Sequence, residues 1–286
     1  MVNDKICIVT GGNTGIGKAT VEGLARLGAT VVIACRDAGR GQEALREIAA
    51  HWGSKDLQVM QLDLASLASV RAFAAAFMAK FTRLDVLVAN AGIMTRKRQM
   101  TVDGIEMDLG VNHVGHFLLT DLLLPLLKRS APARIVVVSS SMHARGTFDF
   151  EDLASEKSWR GAYPRSKLAN MLFVRALAKR LAGSRVVVNG LHPGVVSTEL
   201  ARDFPAPIRL MARWLFKSPE QGARTSLYLV TAPEAAEISG RYFVNSKEKQ
   251  PGATALDDAL AERLWAETER LIANATTMGF PHAQST

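Results

Sequence analysis

Short apolar runs alternate with longer segments of helical periodicity along the whole chain. Ile6-Cys7-Ile8-Val9, within Lys5–Thr10, predicts a first strand. Val21, Leu24, Ala25 and Leu27 then mark one face of an amphipathic helix. Further strands are predicted over 30–35, 57–62, 84–89, 134–138, 185–191 and 240–244. Between them, helices are predicted over 40–50, 66–80, 103–128, 163–181 and 219–230. In 66–80, Val70, Phe73, Ala74 and Phe77 fall on one side. Pro125 is expected to bend or end the 103–128 helix. Strands that are continuously apolar, rather than alternating, are buried on both faces. The pattern therefore predicts an α/β fold with one doubly wound parallel sheet flanked by helices. No linker or repeat breaks the series, so residues 1–286 read as one domain with a C-terminal helix, 255–272, packed on it.

Composition narrows the class. A chain of 286 residues, 48% apolar, buries a large core and is not disordered. No apolar run approaches the ~18 residues of a membrane span. Asn3, Asp4 and Lys5 lead straight into the first strand, so no signal peptide is expected. Cys7 and Cys35 are the two cysteines, and both sit in strand patterns. They read as buried thiols in a reducing, cytoplasmic setting. The net charge of +8 favours an anionic partner. Its basic residues are spread and lack an aromatic platform, which argues against nucleic acid and for a polyanionic cofactor.

The first strand runs into Gly11-Gly12-Asn13-Thr14-Gly15-Ile16-Gly17-Lys18. Strand, glycine turn and helix together aim helix N-terminal amides at a pyrophosphate. The glycines let the backbone approach the phosphates. The spacing differs from GxGxxG, and Ala19 after Lys18 excludes a phosphate-transfer loop. The plainer alternative is a tight turn that binds nothing.

Tyr163 and Lys167 stand four residues apart, on one helix face. A phenol titrates near ~10 and is a poor base at neutral pH. A neighbouring ammonium favours the phenolate and brings that value down, so the pair can pass a proton to or from an alcohol or carbonyl. Pro164 suits the first turn of the helix. His113 and His116 have i, i+3 spacing but no third ligand, so packing or polar supporting roles are expected, and no metal.

Taken together, these residues resemble the short-chain dehydrogenase/reductase family over nearly the whole chain. Thr10-Gly11-Gly12-Asn13-Thr14-Gly15-Ile16-Gly17 matches its cofactor turn, and Ala89-Asn90-Ala91-Gly92 matches its NNAG motif with Ala89 in place of the first Asn. Tyr163 and Lys167 match its YxxxK pair, and His192-Pro193-Gly194-Val195-Val196-Ser197-Thr198 its proline-glycine loop. Ala34-Cys35-Arg36-Asp37, the run from Val111 to Thr120, and Ser166-Lys167-Leu168-Ala169-Asn170 are similar to its retinol-dehydrogenase-like branch. The 146–162 segment looks like an insertion that this branch shares.

The resemblance implies a Rossmann-type fold and a set of roles. Tyr163 is the general acid/base, and Lys167 tunes it and binds the cofactor ribose. Ser140, favoured over Ser139 and Ser141, bonds the substrate oxygen. Asn112 is the fourth catalytic residue, its amide holding a water in a relay to Lys167. Gly11, Asn13, Thr14, Gly15, Ile16 and Gly17 cradle the cofactor. Asp63 meets the adenine with Leu64 beside it, and Asn90, Ala91 and Gly92 line the cofactor side. Pro193, Gly194, Val196 and Thr198 approach the nicotinamide and phosphates. An NAD enzyme of this fold carries an acid at the Cys35 position; here Arg36 follows instead. A guanidinium there suits a 2′-phosphate, so NADP(H) is expected ahead of NAD(H), unless Asp37 turns inward and blunts it.

Residues 199–217 hold Phe204, Ile208, Leu210, Met211, Trp214, Leu215 and Phe216 among Arg202, Arg209, Arg213 and Lys217. They are expected to form a lid over a hydrophobic carbonyl or alcohol substrate. Peripheral membrane contact and packing on the chain's own core are the alternatives. The expected activity is NADP(H)-dependent hydride transfer, in a chain that could form a homo-oligomer. A non-catalytic NADP-binding scaffold or sensor, and less so an epimerase or dehydratase, are the other readings.

Overall fold

The structure, a computed structural model, describes residues 2–52, 56–154, 161–194 and 217–278. Its strands are β1 (Ile6–Thr10), β2 (Thr30–Cys35), β3 (Leu57–Gln61), β4 (Val86–Ala89), β5 (Ala133–Val138), β6 (Val186–His192), β7 (Tyr242–Val244) and β8 (Lys247–Lys249). They form one sheet in the order β3-β2-β1-β4-β5-β6-β7-β8. Every pairing is parallel except β7 with β8. The expected doubly wound sheet is present. β8 was not expected, because Lys-Glu-Lys carries no apolar signal. Asn245 and Ser246, both at positive φ (54° and 59°), make the two-residue turn that folds it back onto β7.

Both faces of the sheet are covered because successive side chains point to opposite sides. In β1, Cys7 and Val9 join a cluster with Val21 and Leu24 of α1 (Gly15–Arg26), Ile48 of α2 (Ala38–Trp52), and Leu229 of the Pro219–Thr231 helix. Ile8, between them, points the other way. It joins Phe73 and Phe77 of α3 (Leu67–Lys80), Leu119 and Leu123 of α5 (Gly115–Arg129), Leu172 of α6 (Ala162–Arg180), and Leu264 of the Asp258–Met278 helix.

The helix expected over 103–128 is replaced by a sequence of shorter pieces. Residues 101–106 form a turn in which Thr101 Oγ1 accepts from the Ile105 amide at 3.1 Å and Gly104 takes φ 73°. α4 (Met107–Leu109) starts where the Glu106 carboxylate accepts the Asp108 and Leu109 amides, at 3.0 and 2.9 Å. A π turn, Gly110–Val114, then leads into α5. Pro125 lies inside α5, which continues to Arg129. The C-terminal helix begins at Asp258 rather than 255, because Ala253–Leu256 is a 3-10 turn, and it runs on to Met278.

One buried carboxylate pins the sheet where β1 meets β4. Asp85, 1% exposed, accepts from Lys5 Nζ at 2.9 Å, the Ile6 amide at 2.9 Å, and Arg83 Nε at 3.0 Å. Burial pushes its carboxyl up, but Arg83, the Ile6 amide and Lys5 together hold it below its ordinary 3.8. A depressed carboxyl stabilises the fold above its unfolded value, and that contribution disappears as pH falls through the folded value. Asp85→Ala is expected to cost about 2–4 kcal/mol at pH 7, since it strands the Ile6 amide and two cations. Urea unfolding of variant and wild type should converge as pH drops below 3.8; an equal gap at acid pH would contradict this.

Strand order reverses between β1 and β4, with β2 and β3 on one side and β5 to β7 on the other. Loops leaving the carboxyl ends of β1 and β4 therefore diverge and open a crevice.

Candidate active site

A crevice of about 730 Å³ opens at that point. It is lined by Gly11, Asn13, Thr14, Gly15, Ile16 and Gly17 from the β1–α1 turn, Arg36 after β2, Asp63 and Leu64 after β3, and Asn90, Ala91 and Gly92 after β4. The structure thus brings together twelve residues singled out in the sequence from four separate loops. It adds Asp37, Arg40, Ile93, Met107, Val111 and Pro219, which were not proposed as cofactor contacts. Arg40 was legible in principle: it follows Arg36 by four residues, in the first turn of α2.

The turn has the shape of an anion cradle. Gly11 takes φ 63° and Gly15 φ 54°, a region side chains disfavour. A Cβ on Gly17 would lie 2.2 Å from the Gly11 carbonyl oxygen and 2.5 Å from Asn90 Nδ2. Thr14 precedes α1 without capping it through its side chain, and the first turn holds no acid. The positive end of α1 and its N-terminal amides thus face the crevice uncompensated, which suits a pyrophosphate.

Beyond β2, Asp37 lines the crevice beside Arg36, but its carboxylate is engaged at the start of α2. Its Oδ1 accepts the Arg40 amide at 3.0 Å, and its Oδ2 lies 3.9 Å from Arg40 Nε. The carboxylate thus starts α2 and steadies Arg40, leaving two guanidinium groups, Arg36 and Arg40, on this wall. Asp63 Oδ1 accepts the Ala65 amide at 2.9 Å, while Ser66 caps α3 by accepting from the Ser69 amide at 3.2 Å.

Asn90 joins the two central strands. Its amide nitrogen donates to Thr10 Oγ1 at 2.9 Å and its Nδ2 to the Thr10 carbonyl at 2.8 Å. Gly92 links the crevice to α6. A Cβ there would lie 3.1 Å from Lys167 Nζ and 3.3 Å from Asn112 Oδ1.

The three adjacent serines separate by register. Ser139 Oγ donates to the Lys167 carbonyl at 2.8 Å, Ser141 is exposed, and the Ser140 hydroxyl bonds the Tyr163 phenol. Lys167 is buried, with Nζ donating to the Val138 carbonyl at 3.1 Å and standing 5.6 Å from the centre of the Tyr163 ring. Asn112 sits in the π turn. Its Oδ1 accepts the Ile93 amide at 2.8 Å, and its Nδ2 donates to the Ile93 carbonyl and to Ser166 Oγ, each at 2.9 Å. Both amide protons are committed, so this side chain ties loop to helix, and Oδ1 keeps one lone pair for a relay water.

The titration of the pair also differs from expectation. Burial pushes the Tyr163 phenol above its ordinary value; the Ser140 hydrogen bond opposes this and the Asp108 charge adds to it. Burial pulls Lys167 down to about 8, against the attraction of Asp108. A lysine that is costly to charge is a weak lever on its neighbour. Asp108 itself, 1% exposed, is pushed up by burial to about 6 and accepts the Thr95 amide at 2.8 Å. The resting site therefore holds a protonated phenol, suited to donating.

Pro193 and Gly194 lie past the end of β6, outside the crevice lining, with Gly194 at φ 92° against the Lys217 side chain. Val196, Thr198 and all of the 199–217 lid except Lys217 fall outside the described residues. His113 and His116 are buried within the helical stack. Among the described residues, no group of three or more His, Cys, Asp or Glu side chains is placed to hold a metal, and no helix is long and apolar enough to cross a membrane.

Comparisons with known proteins agree with this geometry. The family model for short chain dehydrogenases matches residues 5–208. Retinol dehydrogenase 14 of Homo sapiens is 46% identical over 293 residues, covering 95% of this chain and 87% of that protein. Retinol dehydrogenase 13 of Homo sapiens is 46% identical over 279 residues, covering 94% and 84%. Among solved structures, an uncharacterised protein from Mycobacterium paratuberculosis superposes with TM-score 0.78 at 35% identity, covering 95% of this chain and 94% of that one. The NADP complex of RhlG from Pseudomonas aeruginosa does so with TM-score 0.70 at 30% identity, covering 89% and 97%.

Proposed function

Because the chain belongs to the short chain dehydrogenase family, we propose that it is an NADP(H)-dependent oxidoreductase reducing a hydrophobic aldehyde or ketone, with the reverse alcohol oxidation available. The observation that carries this reading is continuity: Gly92 lines the dinucleotide-shaped crevice, and the space beside its missing side chain is bounded by Lys167 Nζ and Asn112 Oδ1. Proton-transfer groups thus meet the cofactor channel at its inner end.

Bound reduced nicotinamide supplies a hydride to the carbonyl carbon. The α1 amides would hold the pyrophosphate, and Arg36 with Arg40 would hold a 2′-phosphate. Ser140 orients the carbonyl oxygen, and the Tyr163 hydroxyl delivers the proton that completes the alcohol. Lys167, with Nζ 5.6 Å from the centre of the Tyr163 ring, would bind the cofactor ribose beside the phenol. The raised phenol value keeps the proton donor that carbonyl reduction needs in place at neutral pH.

The NADP and NADPH complexes among similar structures support the phosphorylated cofactor, with NAD(H) as the weaker alternative. Arg36→Ala is expected to raise the NADPH KM by about tenfold or more, and the NADH KM little, because only NADPH carries the charge it binds. Equal changes for both cofactors would contradict the assignment. Arg40→Ala should act in the same sense.

The names of the relatives and the apolar composition of residues 199–217 support a lipophilic substrate, a retinoid or long-chain aldehyde. The decisive experiment follows NADPH consumption against hydrophobic aldehydes, ketones and retinal. Absence of turnover across the panel, with NADPH bound tightly, would favour a sensor. Anionic-vesicle sedimentation and gel filtration test membrane contact of 199–217 and self-association. The buried free thiols of Cys7 and Cys35 support a reducing, cytoplasmic location.

A further inference from the structure

His116 sits on the first turn of α5, 3% exposed, and the chemistry just described gives it no part. Its Nδ1 lies 3.1 Å from the Asn112 carbonyl oxygen. That oxygen only accepts, so Nδ1 carries the proton. Burial pulls the imidazole down to about 4, with Lys167 acting in the same sense, so the ring is neutral at working pH and Nε2 is an acceptor. Nε2 lies 2.8 Å from Thr10 Oγ1. Thr10 therefore donates its hydroxyl proton to His116. Its two lone pairs receive the Asn90 and Ala91 amides, both at 2.9 Å. The Val88 carbonyl, at 3.4 Å from Thr10 Oγ1, is the longer alternative acceptor, and the 2.8 Å contact to Nε2 is the one the geometry favours.

Two ends of the site meet through this ring. On one side are Asn90 and Ala91, which line the crevice. On the other is the π turn, whose Asn112 side chain holds Ile93 and Ser166, and Ser166 Oγ in turn donates to the Tyr163 carbonyl at 2.8 Å. We propose that His116 is a positioning residue that locks the Asn112 turn to the cofactor-facing end of β4 through the Thr10 hydroxyl. It fixes the crevice floor and the proton donor in one frame. A neutral imidazole suits this task because it offers one donor and one acceptor on opposite sides of a rigid ring, which no aliphatic side chain does.

The inference rests on the proposed reductase reading, and the experiment separates the two. Wild type, His116→Phe, His116→Gln and Thr10→Val, with the His116→Phe/Thr10→Val double variant, are compared in aldehyde reduction, NADPH titration and thermal melting. His113→Phe is the control for burial, because His113 is equally buried but its ring meets Thr268, at 3.1 Å, and Asn170, with no bond to Thr10. Expected is a kcat fall of about tenfold to a hundredfold for His116→Phe, with aldehyde KM and NADPH Kd within about threefold. His116→Gln, which keeps an amide near Nε2, should recover part of the loss. The double variant should be no worse than the poorer single variant, since both break one link. His113→Phe should lower Tm and spare kcat. Independently of turnover, imidazole nitrogen NMR should show His116 as the Nδ1–H tautomer. A His116→Phe kcat within twofold of wild type, losses that multiply in the double variant, an equal kcat loss in His113→Phe, or the Nε2–H tautomer would each overturn the inference. Wild-type inactivity on every carbonyl would instead sink the reductase reading, and the tautomer would still decide the link.

Discussion

Tyr163→Phe lowers kcat/KM for carbonyl reduction by about 10³-fold and leaves NADPH affinity within about twofold. The ring is retained, so its contact with Lys167 survives, and only the hydroxyl bonded to Ser140 is lost. Stopped-flow reduction and a fluorescence titration of NADPH separate the two effects. A loss of affinity matching the loss of rate would mean that the residue binds cofactor and does not transfer a proton. The pH dependence has a definite sign. With the phenol raised above its ordinary value, the proton donor persists through neutral pH, so reduction is flat there and declines only at alkaline pH. Alcohol oxidation needs the deprotonated phenol and rises across the same range.

Gly17→Val abolishes useful NADPH binding, weakening it by about a hundredfold or more. Even the first added carbon falls 2.2 Å from the Gly11 carbonyl and 2.5 Å from Asn90 Nδ2. Neither can yield: Gly11 donates its own amide to the Ala34 carbonyl at 2.7 Å, and Asn90 is held by Thr10. The turn must open, and the α1 amides lose their common aim. Gly23→Ala is the informative contrast. Its added carbon would meet only the Leu227 side chain, at 2.5 Å, and a side-chain tip can turn aside. A modest drop in Tm with intact NADPH affinity is expected there. Comparable affinity losses in both variants would show that the cradle is less strict than its geometry.

The sheet was legible because its strands are continuously apolar, and the glycine turn because its spacing has one economical conformation. Residues whose role is local could be placed directly, such as Tyr163 and Lys167 on one helix face. Four features were missed, for distinct physical reasons. The π turn around Asn112 is decided by hydrogen bonds to Ile93, far away in sequence. The titration of Tyr163 depends on how deeply Lys167 is buried, and spacing carries no information on burial. Arg40 was passed over because a basic residue on a helix reads as a solvated one until Asp37 is seen to hold that turn beside the crevice. His116 lay in plain view beside Asn112, but its partner Thr10 is 106 residues away.

The small ribbon formed by β8 has a consequence for how copies of this protein meet. It covers the flank of β7 and presents Lys247, Glu248 and Lys249, all exposed, as the outermost row. Another chain laying its own border alongside would find charged side chains, one of them facing Arg241, and no apolar surface to bury. Lateral growth of the sheet into larger fibrous arrays is thus barred on that flank by three residues that do no chemistry.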